Sequence, residues 1–569
     1  MCQQFVSSST SSSSCIGIRQ TIFKEVAEIR FSNKLRIFPI DGPQNKILGQ
    51  HLLRSCLHRA RQILYTKILR KLDWKKSKQT IRSRILSTQL QPQTVAPSRP
   101  LCVDLDGTLV KSDTLADSLL LLLRTRPLLF LRAFGWVFKG KAALKAQVSR
   151  YVSLDASRLP YNRPLLAFLE QEHGRGRSIF LVTGADGRLA EQITAYLPLF
   201  HGVLASDGHT NLTGVRKLAR LRQQFAQDGF DYVGNAWSDL PVLSHAGEAM
   251  LANPHPGLAA RLRSRNIRVG RVFRDRPSLA SALFRALRPH QWAKNVLVIV
   301  PLLLAHTLHP VLVFRALLAF TCFCCCASAS YIINDLLDLE ADRHHATKRY
   351  RPFAAGDLQA STGIVIAMVL LLASFLSAAR LLPGAFAAWL ALYLMATLGY
   401  SLALKRVALV DVVLLAGLYT LRLVAGGAAT ETPVSAWLAA FSVFFFFSLA
   451  LVKRFSELEN LREQGRSIAH GRGYLVSDAF QLRSFGTSSG YAALVVFALY
   501  INGSKVASLY RHPARMWWIL PLLLFWISRV WLLASRGEMH EDPVIFALTD
   551  RMSLLIGLAV LLIAVMAAL

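Results

Sequence analysis

The stretch Asn334–Asp342, NDLLDLEAD, follows a Cys- and Ala-rich apolar segment and precedes the basic run RHHATKRYR at 343–351. Read as a helix, it places Asp335, Asp338 and Asp342 at i, i+3 and i+7, with Asn334 four residues before Asp338, so these side chains share one face. Clustered like charges beside lipid are costly. Such a cluster is expected to hold a divalent cation carrying a phosphorylated substrate, and Mg2+ is the natural partner of carboxylates and diphosphate oxygens. The alternative is an acidic helix end solvated by headgroups and neutralised by the arginines that follow.

The composition around this stretch is that of a membrane protein. The chain has 569 residues, 53% of them hydrophobic, with a mean hydropathy of +0.35. Apolar runs near 294–308, 311–333, 362–379, 383–401, 407–425, 434–452, 488–501, 516–534 and 552–569 predict about nine transmembrane helices, most of them close to the ~20 residues a span needs. The run at 488–501 is short enough to suit a buried or re-entrant segment instead. Net charge is +32. In a soluble protein that would suggest nucleic acid, but here the excess lies in the first hundred residues, in 258–288 and in alternate loops (Arg343 to Arg351, Lys405 and Arg406, Lys453 to Arg466). The positive-inside rule makes those loops and the N-terminal part cytoplasmic at an inner (plasma) membrane, with Lys505, Arg511 and Arg515 running against the pattern.

Cys322, Cys324, Cys325 and Cys326 crowd one apolar segment without metal-ligand spacing and read as small packing residues. Residues 1–97 read as a basic, Ser-rich leader expected to be poorly ordered, with nothing in it that resembles a cleaved signal.

From Pro100 the pattern changes to RPLCVDLDGTLVKSDT, a short buried strand ending in Asp104, Asp106 and a Gly-Thr turn. At the C-terminal end of such a strand both carboxylates can surround one ligand, one attacking phosphorus while the other handles the leaving-group proton. SIFLVTGAD then offers the Thr183 hydroxyl for a phosphate oxygen, LTGVRK offers Lys217 as a fixed positive charge, and FDYVGNAWSDL ends a further strand in Asn235 and Asp239, a potential metal end. In this order the segments resemble a phosphatase of the haloacid dehalogenase superfamily, close to its phosphoserine-phosphatase-like branch. The resemblance implies an α/β Rossmann-like domain over 98–272 with a helical cap at about 112–165. It implies Asp104 as nucleophile, Asp106 as general acid/base, Thr183 and Lys217 on phosphate, and Mg2+ held by Asp104, Asp106, Asn235 and Asp239. The family usually carries Asp where Asn235 stands, which lowers the site charge by one. A domain retained for docking rather than catalysis is the alternative.

Residues 273–569 resemble the UbiA prenyltransferase superfamily, an all-α polytopic membrane fold that holds Mg2+ and a donor diphosphate on NDxxDxxxD; that pattern maps to Asn334, Asp335, Asp338 and Asp342. Where aromatic prenyltransferases of the superfamily carry a second Asp-rich motif, this chain reads LVKRFSELENLREQG, with Lys453, Arg454 and Glu457 within about a turn. A cation there suits a second phosphorylated substrate better than a neutral acceptor. LRPHQWAKN, YSLALKRVALVD (Tyr400, Lys405, Asp411) and GEMHEDPVIFALTDR narrow the resemblance to the decaprenyl-phosphate phosphoribosyltransferase branch. It implies phosphoribosyl diphosphate as donor and a polyprenyl phosphate as acceptor, with Asp335 and Asp338 at the reacting centre and Lys294, Lys348, Arg349, Arg351, Lys453 and Arg454 as candidates for phosphates. His344 and His345 read as loop residues. The fusion suggests that the phosphatase removes the 5-phosphate of the lipid-linked product, giving polyprenylphosphoryl ribose for cell-envelope or glycoconjugate synthesis. The rival reading is an aromatic prenyltransferase of quinone biosynthesis with an incidental, phosphatase-like binding domain.

Overall fold

A computed structural model of the protein describes residues 99–226, 228–306, 308–463, 473–503, 506, 509–539 and 542–569. The leader at 1–97 lies outside the described residues, as do Arg466, Lys505, His540 and Glu541 of the motifs above.

In the α/β part, six strands form one sheet: β1 (Leu101–Val103), β2 (Ile179–Asp186), β3 (Gly202–Ser206), β4 (Asp231–Gly234), β5 (Ala249–Ala252) and β6 (Val269–Phe273). They pair in parallel in the order β3-β2-β1-β4-β5-β6. Alternation along β1 explains why LCV is apolar throughout. Leu101 and Val103 join one core with Leu165, Phe168, Leu189 and Ile193, while Cys102 joins the other with Val182, Leu218, Leu221 and Leu262. With both faces of β1 against apolar cores, its polar side chains begin only beyond its C-terminal end. The order reverses between β1 and β4, and Asp104 and Asn235 directly follow those two strands at the crevice where parallel sheets bind ligands.

Between β1 and β2, before the helix Arg163–Gly174, the chain forms three helices: α1 (Thr114–Thr125), α2 (Pro127–Phe138) and α3 (Lys141–Tyr151). Asp113 caps α1 by accepting from Leu115 N at 3.0 Å and Ala116 N at 3.1 Å. The three helices share a small core of Leu122, Ala133, Leu144 and Val148.

Eight helices among the described residues are long and apolar enough to cross a membrane. They include α4 (Pro310–Leu337), α5 (Ala360–Leu381), α6 (Gly384–Leu402), α7 (Val410–Thr430), α8 (Ala436–Glu463), α9 (Ala479–Ile501), α10 (Ile519–Ser535) and α11 (Arg551–Ala568). The expectation of nine spans is corrected at its first run. The described residues there include a 3-10 stretch, Pro289–Val298, and a short helix, Val300–Leu304. Pro289 and Pro301 remove backbone donors, and the apolar run is too short to span. The backbone of this segment instead lies against α7: a Cβ on Gly426 would come within 2.0 Å of the Val298 carbonyl oxygen, so only glycine permits the approach. The short run at 488–501 belongs to the 23-residue helix α9, whose first turns carry polar residues that hid its length.

Candidate functional sites

Helix α4 ends at Leu337, and Asp338 is a turn residue with φ −94° and ψ 11° before a second short helix, Leu339–His344. That break decides how the acidic side chains are aimed. Asp335, 2% exposed, accepts from Arg288 Nη2 at 2.7 and 2.8 Å and from Arg351 Nη1 at 3.0 Å. The same Arg351 nitrogen donates to Asp342 Oδ2 at 2.7 Å. Asp338 is turned elsewhere, accepting from Lys405 Nζ at 2.7 Å and lying 3.4 Å from Arg124 of α1. The helix breaks at Asp338, so in this structure Asp335 and Asp342 share a partner that Asp338 does not. Among the described residues no group of three or more His, Cys, Asp or Glu side chains is placed to hold a metal. Asp335 and Asp342 nevertheless both accept from one cationic nitrogen, Arg351 Nη1. Burial pushes the Asp342 carboxyl up, against the lowering effect of Arg351. Asn334 lies half-buried beside this pair in the chain, and Lys348 and Arg349 are exposed.

Lys294 and Lys453, 159 residues apart in the chain, meet on Asp542 Oδ2 at 3.0 and 2.8 Å. Burial alone would raise the Asp542 carboxyl, but the two ammonium groups outweigh it and hold it well below the usual carboxylate range. Arg454, expected on a phosphate, is 2% exposed and spends its guanidinium on Asp411 at 2.5 Å, Glu457 at 2.7 Å and Tyr400 at 3.0 Å. Tyr474 adds a 2.5 Å hydrogen bond to Asp411. This network ties α6, α7 and α8 together, so Arg454 and Glu457 hold the frame of the site. Arg422 of α7 is 5% exposed and bonds to Asn295 and to Tyr393, at 2.8 and 3.0 Å, a further cation that periodicity alone did not distinguish from core.

In the α/β crevice Lys217, 3% exposed, donates to Asp104 Oδ1 at 2.7 Å, to Tyr232 at 2.9 Å and to Asp239 Oδ1 at 3.4 Å. Burial alone would lower the Lys217 ammonium, but Asp104 and Asp239 overcome it and the group stays charged. Asp239 also accepts from Tyr232 and, through Oδ2, from the backbone of Asn235 at 3.2 Å and Ala236 at 3.1 Å. Both oxygens of Asp239, expected on a metal, accept hydrogen bonds from Lys217, Tyr232 and the turn after β4 in this structure. The Asn235 amide fits a place on the metal: its Oδ1 is buried without a hydrogen-bond partner, and its Nδ2 lies 2.0 Å from where a Cβ on Gly107 would stand. With Gly107 at φ +75°, the Asp104–Asp106 turn can close onto Asn235 only through glycine. Asp104, Asp106 and Asn235 Oδ1 are an oxygen set that fits Mg2+. Thr183 is fully buried and its hydroxyl accepts from Ala185 N at 2.9 Å. Lys145 of α3 reaches into the same region, donating to Gly184 O at 2.6 Å and Asn211 at 3.1 Å; it carried no motif in the sequence.

Burial, aided by Asp113 and Asp104, pushes the Asp106 carboxyl up to about 7, and burial pushes Asp104 up to about 6 against the pull of Lys217. Both groups bind more protons folded than unfolded between their usual 3.8 and these raised values. Metal-free protein is therefore expected to lose stability as pH rises through that window. Thermal melts in chelator should show the slope, Asp106→Asn should remove its upper part, and Mg2+, which binds the ionised form, should offset it.

The two centres touch through α1. Asp106 Oδ1 accepts from Thr114 N, the first residue of α1, at 2.8 Å. Three residues later Asp117 accepts from Ser112 at 2.6 Å and from Arg343 at 2.7 Å, and Arg343 neighbours Asp342. The Arg343–Asp117 pair is 1% exposed on both sides. Breaking a buried pair by removing one partner costs about 3–5 kcal/mol, so Asp117→Ala should lower the melting temperature and open the junction to proteolysis, with Asp117→Asn intermediate.

Comparison with known proteins agrees with the helical half. The UbiA prenyltransferase family matches residues 295–567. The chain is 39% identical to an uncharacterised protein, y4nM, of Sinorhizobium fredii over 80% of this chain and 89% of that one. It is 37% identical to nodulation protein NoeC of Azorhizobium caulinodans over 49% of this chain and 92% of NoeC, and 31% identical to decaprenyl-phosphate phosphoribosyltransferase of Mycobacterium tuberculosis over 50% of this chain and 92% of that enzyme. Among solved structures, a UbiA homologue from Archaeoglobus fulgidus bound to GPP and Mg2+ covers 50% of this chain and 97% of its own at 16% identity, with a TM-score of 0.39. The chain belongs to the UbiA prenyltransferase family and is, through that domain, a multi-pass membrane transferase.

Proposed function

We propose that the membrane domain transfers 5-phosphoribose from phosphoribosyl diphosphate to a polyprenyl phosphate, and that the α/β domain then removes the 5-phosphate as a haloacid dehalogenase-type phosphatase. The observation that carries the first step is the convergence of Asp335 and Asp342 on one cation beside Arg288, with Lys294 and Lys453 gathered on Asp542. Identity of 31% to decaprenyl-phosphate phosphoribosyltransferases supports the same choice. Asp335 and Asp342 would hold Mg2+, which when bound neutralises diphosphate charge. Arg288, Arg351 and Lys348 stand where further diphosphate oxygens can be met, and Lys294 and Lys453 suit the lipid phosphate. A lipid phosphate oxygen attacks C1 of the sugar as its bond to diphosphate breaks, so the cations serve both the leaving and the attacking anion. The positive-inside pattern puts this chemistry on the cytoplasmic side.

For the second step, Asp104 attacks the 5-phosphate while Asp106 protonates the departing sugar oxygen. Lys217 and Thr183 orient the phosphate, and Asp239 holds Lys217. Tethering gives the second site a high effective concentration of a product confined to the same leaflet.

The test is to incubate membranes containing the full chain with phosphoribosyl diphosphate labelled in the ribose and with polyprenyl phosphate. Label in the lipid extract is expected. Label absent there, with transfer of a prenyl group from its diphosphate to an aromatic acid instead, would overturn the assignment.

A further inference from the structure

Helix α2 has two apolar faces, and the cap uses one of them. Ala133 is buried, and Leu129, Phe130 and Trp136 pack against Leu122, Leu144 and Val148. On the other face Leu128, Leu131, Phe134 and Phe138 are 81, 63, 62 and 91% exposed. Their spacing, 128, 131, 134 and 138, is a stripe along one side of a helix. From Ser118 to Tyr151 the chain has seven lysines and arginines and no acidic residue. Arg124 lies against Asp338 and Lys145 against Gly184 and Asn211, but Arg126, Arg132, Lys139, Lys141 and Arg150 are exposed, and an apolar stripe set among such cations is the pattern of a helix lying in the surface of an anionic bilayer.

The fold puts α2 at that level. Ala116 and Leu120 of α1 pack against a cluster containing Ala329, Ile332 and Leu336 of α4 and Ala360 and Ala367 of α5, so α1 lies across the ends of spanning helices. Arg124 near its end donates to the Leu402 carbonyl oxygen at 3.3 Å, and Leu402 is the last residue of α6. Helix α2 begins at Pro127, within about 10 Å of the Arg124 backbone by chain reach. Its apolar stripe therefore starts where a membrane span leaves the hydrocarbon.

We propose that α2 is an interfacial helix that seats the cap in the headgroup layer of an anionic membrane. Given the phosphatase reading above, on which this consequence rests, the α/β site acts on a phosphate monoester carried by a membrane lipid in preference to a soluble one.

The test places a nitroxide on Leu131→Cys and, separately, on Phe138→Cys in the full chain, with Cys2, Cys15 and Cys56 replaced by Ser, reconstituted in bilayers of phosphatidylcholine and phosphatidylglycerol. A label on Arg175→Cys, an exposed position at the end of Arg163–Gly174, is the aqueous reference. Labels at 131 and 138 are expected to collide more with lipid-soluble oxygen and less with a water-soluble nickel chelate than the label at 175. Equal access to the chelate at all three positions overturns the proposal, as does protection from both reagents, which would mean a second copy or the chain before residue 99 covers the stripe. A second arm compares Leu131→Asp/Phe138→Asp with the parent chain. Hydrolysis of the phosphorylated lipid should fall by ~10-fold in kcat/KM as the cap is no longer seated among the headgroups, with hydrolysis of p-nitrophenyl phosphate preserved. If the parent chain hydrolyses neither ester, the phosphatase reading fails while the collision measurement still decides where α2 lies.

Discussion

Asp335→Ala is expected to reduce lipid labelling by on the order of 10²–10³-fold, the loss typical of removing one group that stabilises developing charge in a closed site. Asp335 is 2% exposed and is the only described carboxylate shown accepting from both Arg288 and Arg351. Without it two guanidinium groups lose their common partner, and the pair of carboxylates able to share a cation is broken. Asp335→Asn keeps the shape and removes the charge, so its activity should need higher Mg2+ than the parent, a shift that a folding defect would not produce. Asp338→Ala should lose less, because Asp338 faces Lys405 and Arg124 and not the Arg351 nitrogen. Equal losses at 335 and 338 in the labelling assay would count against the pairing of Asp335 with Asp342 and favour a three-carboxylate centre.

Asp104→Asn should leave transfer intact and abolish the second step by at least ~10³-fold, since the nucleophile itself is gone. Mass spectrometry of the lipid extract is then expected to show the lipid-linked ribose still carrying its phosphate, where the parent chain gives the dephosphorylated product. The substitution keeps a hydrogen-bonding partner for Lys217, which also retains Asp239 and Tyr232, so the crevice should stay folded. An unchanged lipid product from the variant would reassign the α/β domain to docking.

These two predictions differ in how much of their basis was legible in the chain. DLDGT after an apolar strand and NDLLDLEAD after an apolar helix announce carboxylates at element ends, and local patterning alone puts Asp104 after β1 and Asp335 in the last turn of α4. The roles of their neighbours were less visible. Asp239 and Arg454, expected on metal and phosphate, are seen to hold Lys217 and to tie α6, α7 and α8 together, contacts that no local pattern announced. Spacing rules assume that a helix continues, and the break at Asp338 shows what happens to i, i+3 arguments when it does not.

Hydropathy, charge bias and strand-end motifs determined the two classes of architecture, because they depend on contacts between residues close in sequence or on transfer from water to lipid. Only the tertiary structure decided which cation meets which carboxylate. Arg288 reaches Asp335 across 47 residues, Lys405 reaches Asp338 across 67, and Arg343 reaches Asp117 across 226. Ion pairs of that separation are selected by the packing that first brings the elements together, since side-chain charge alone does not distinguish one arginine from another.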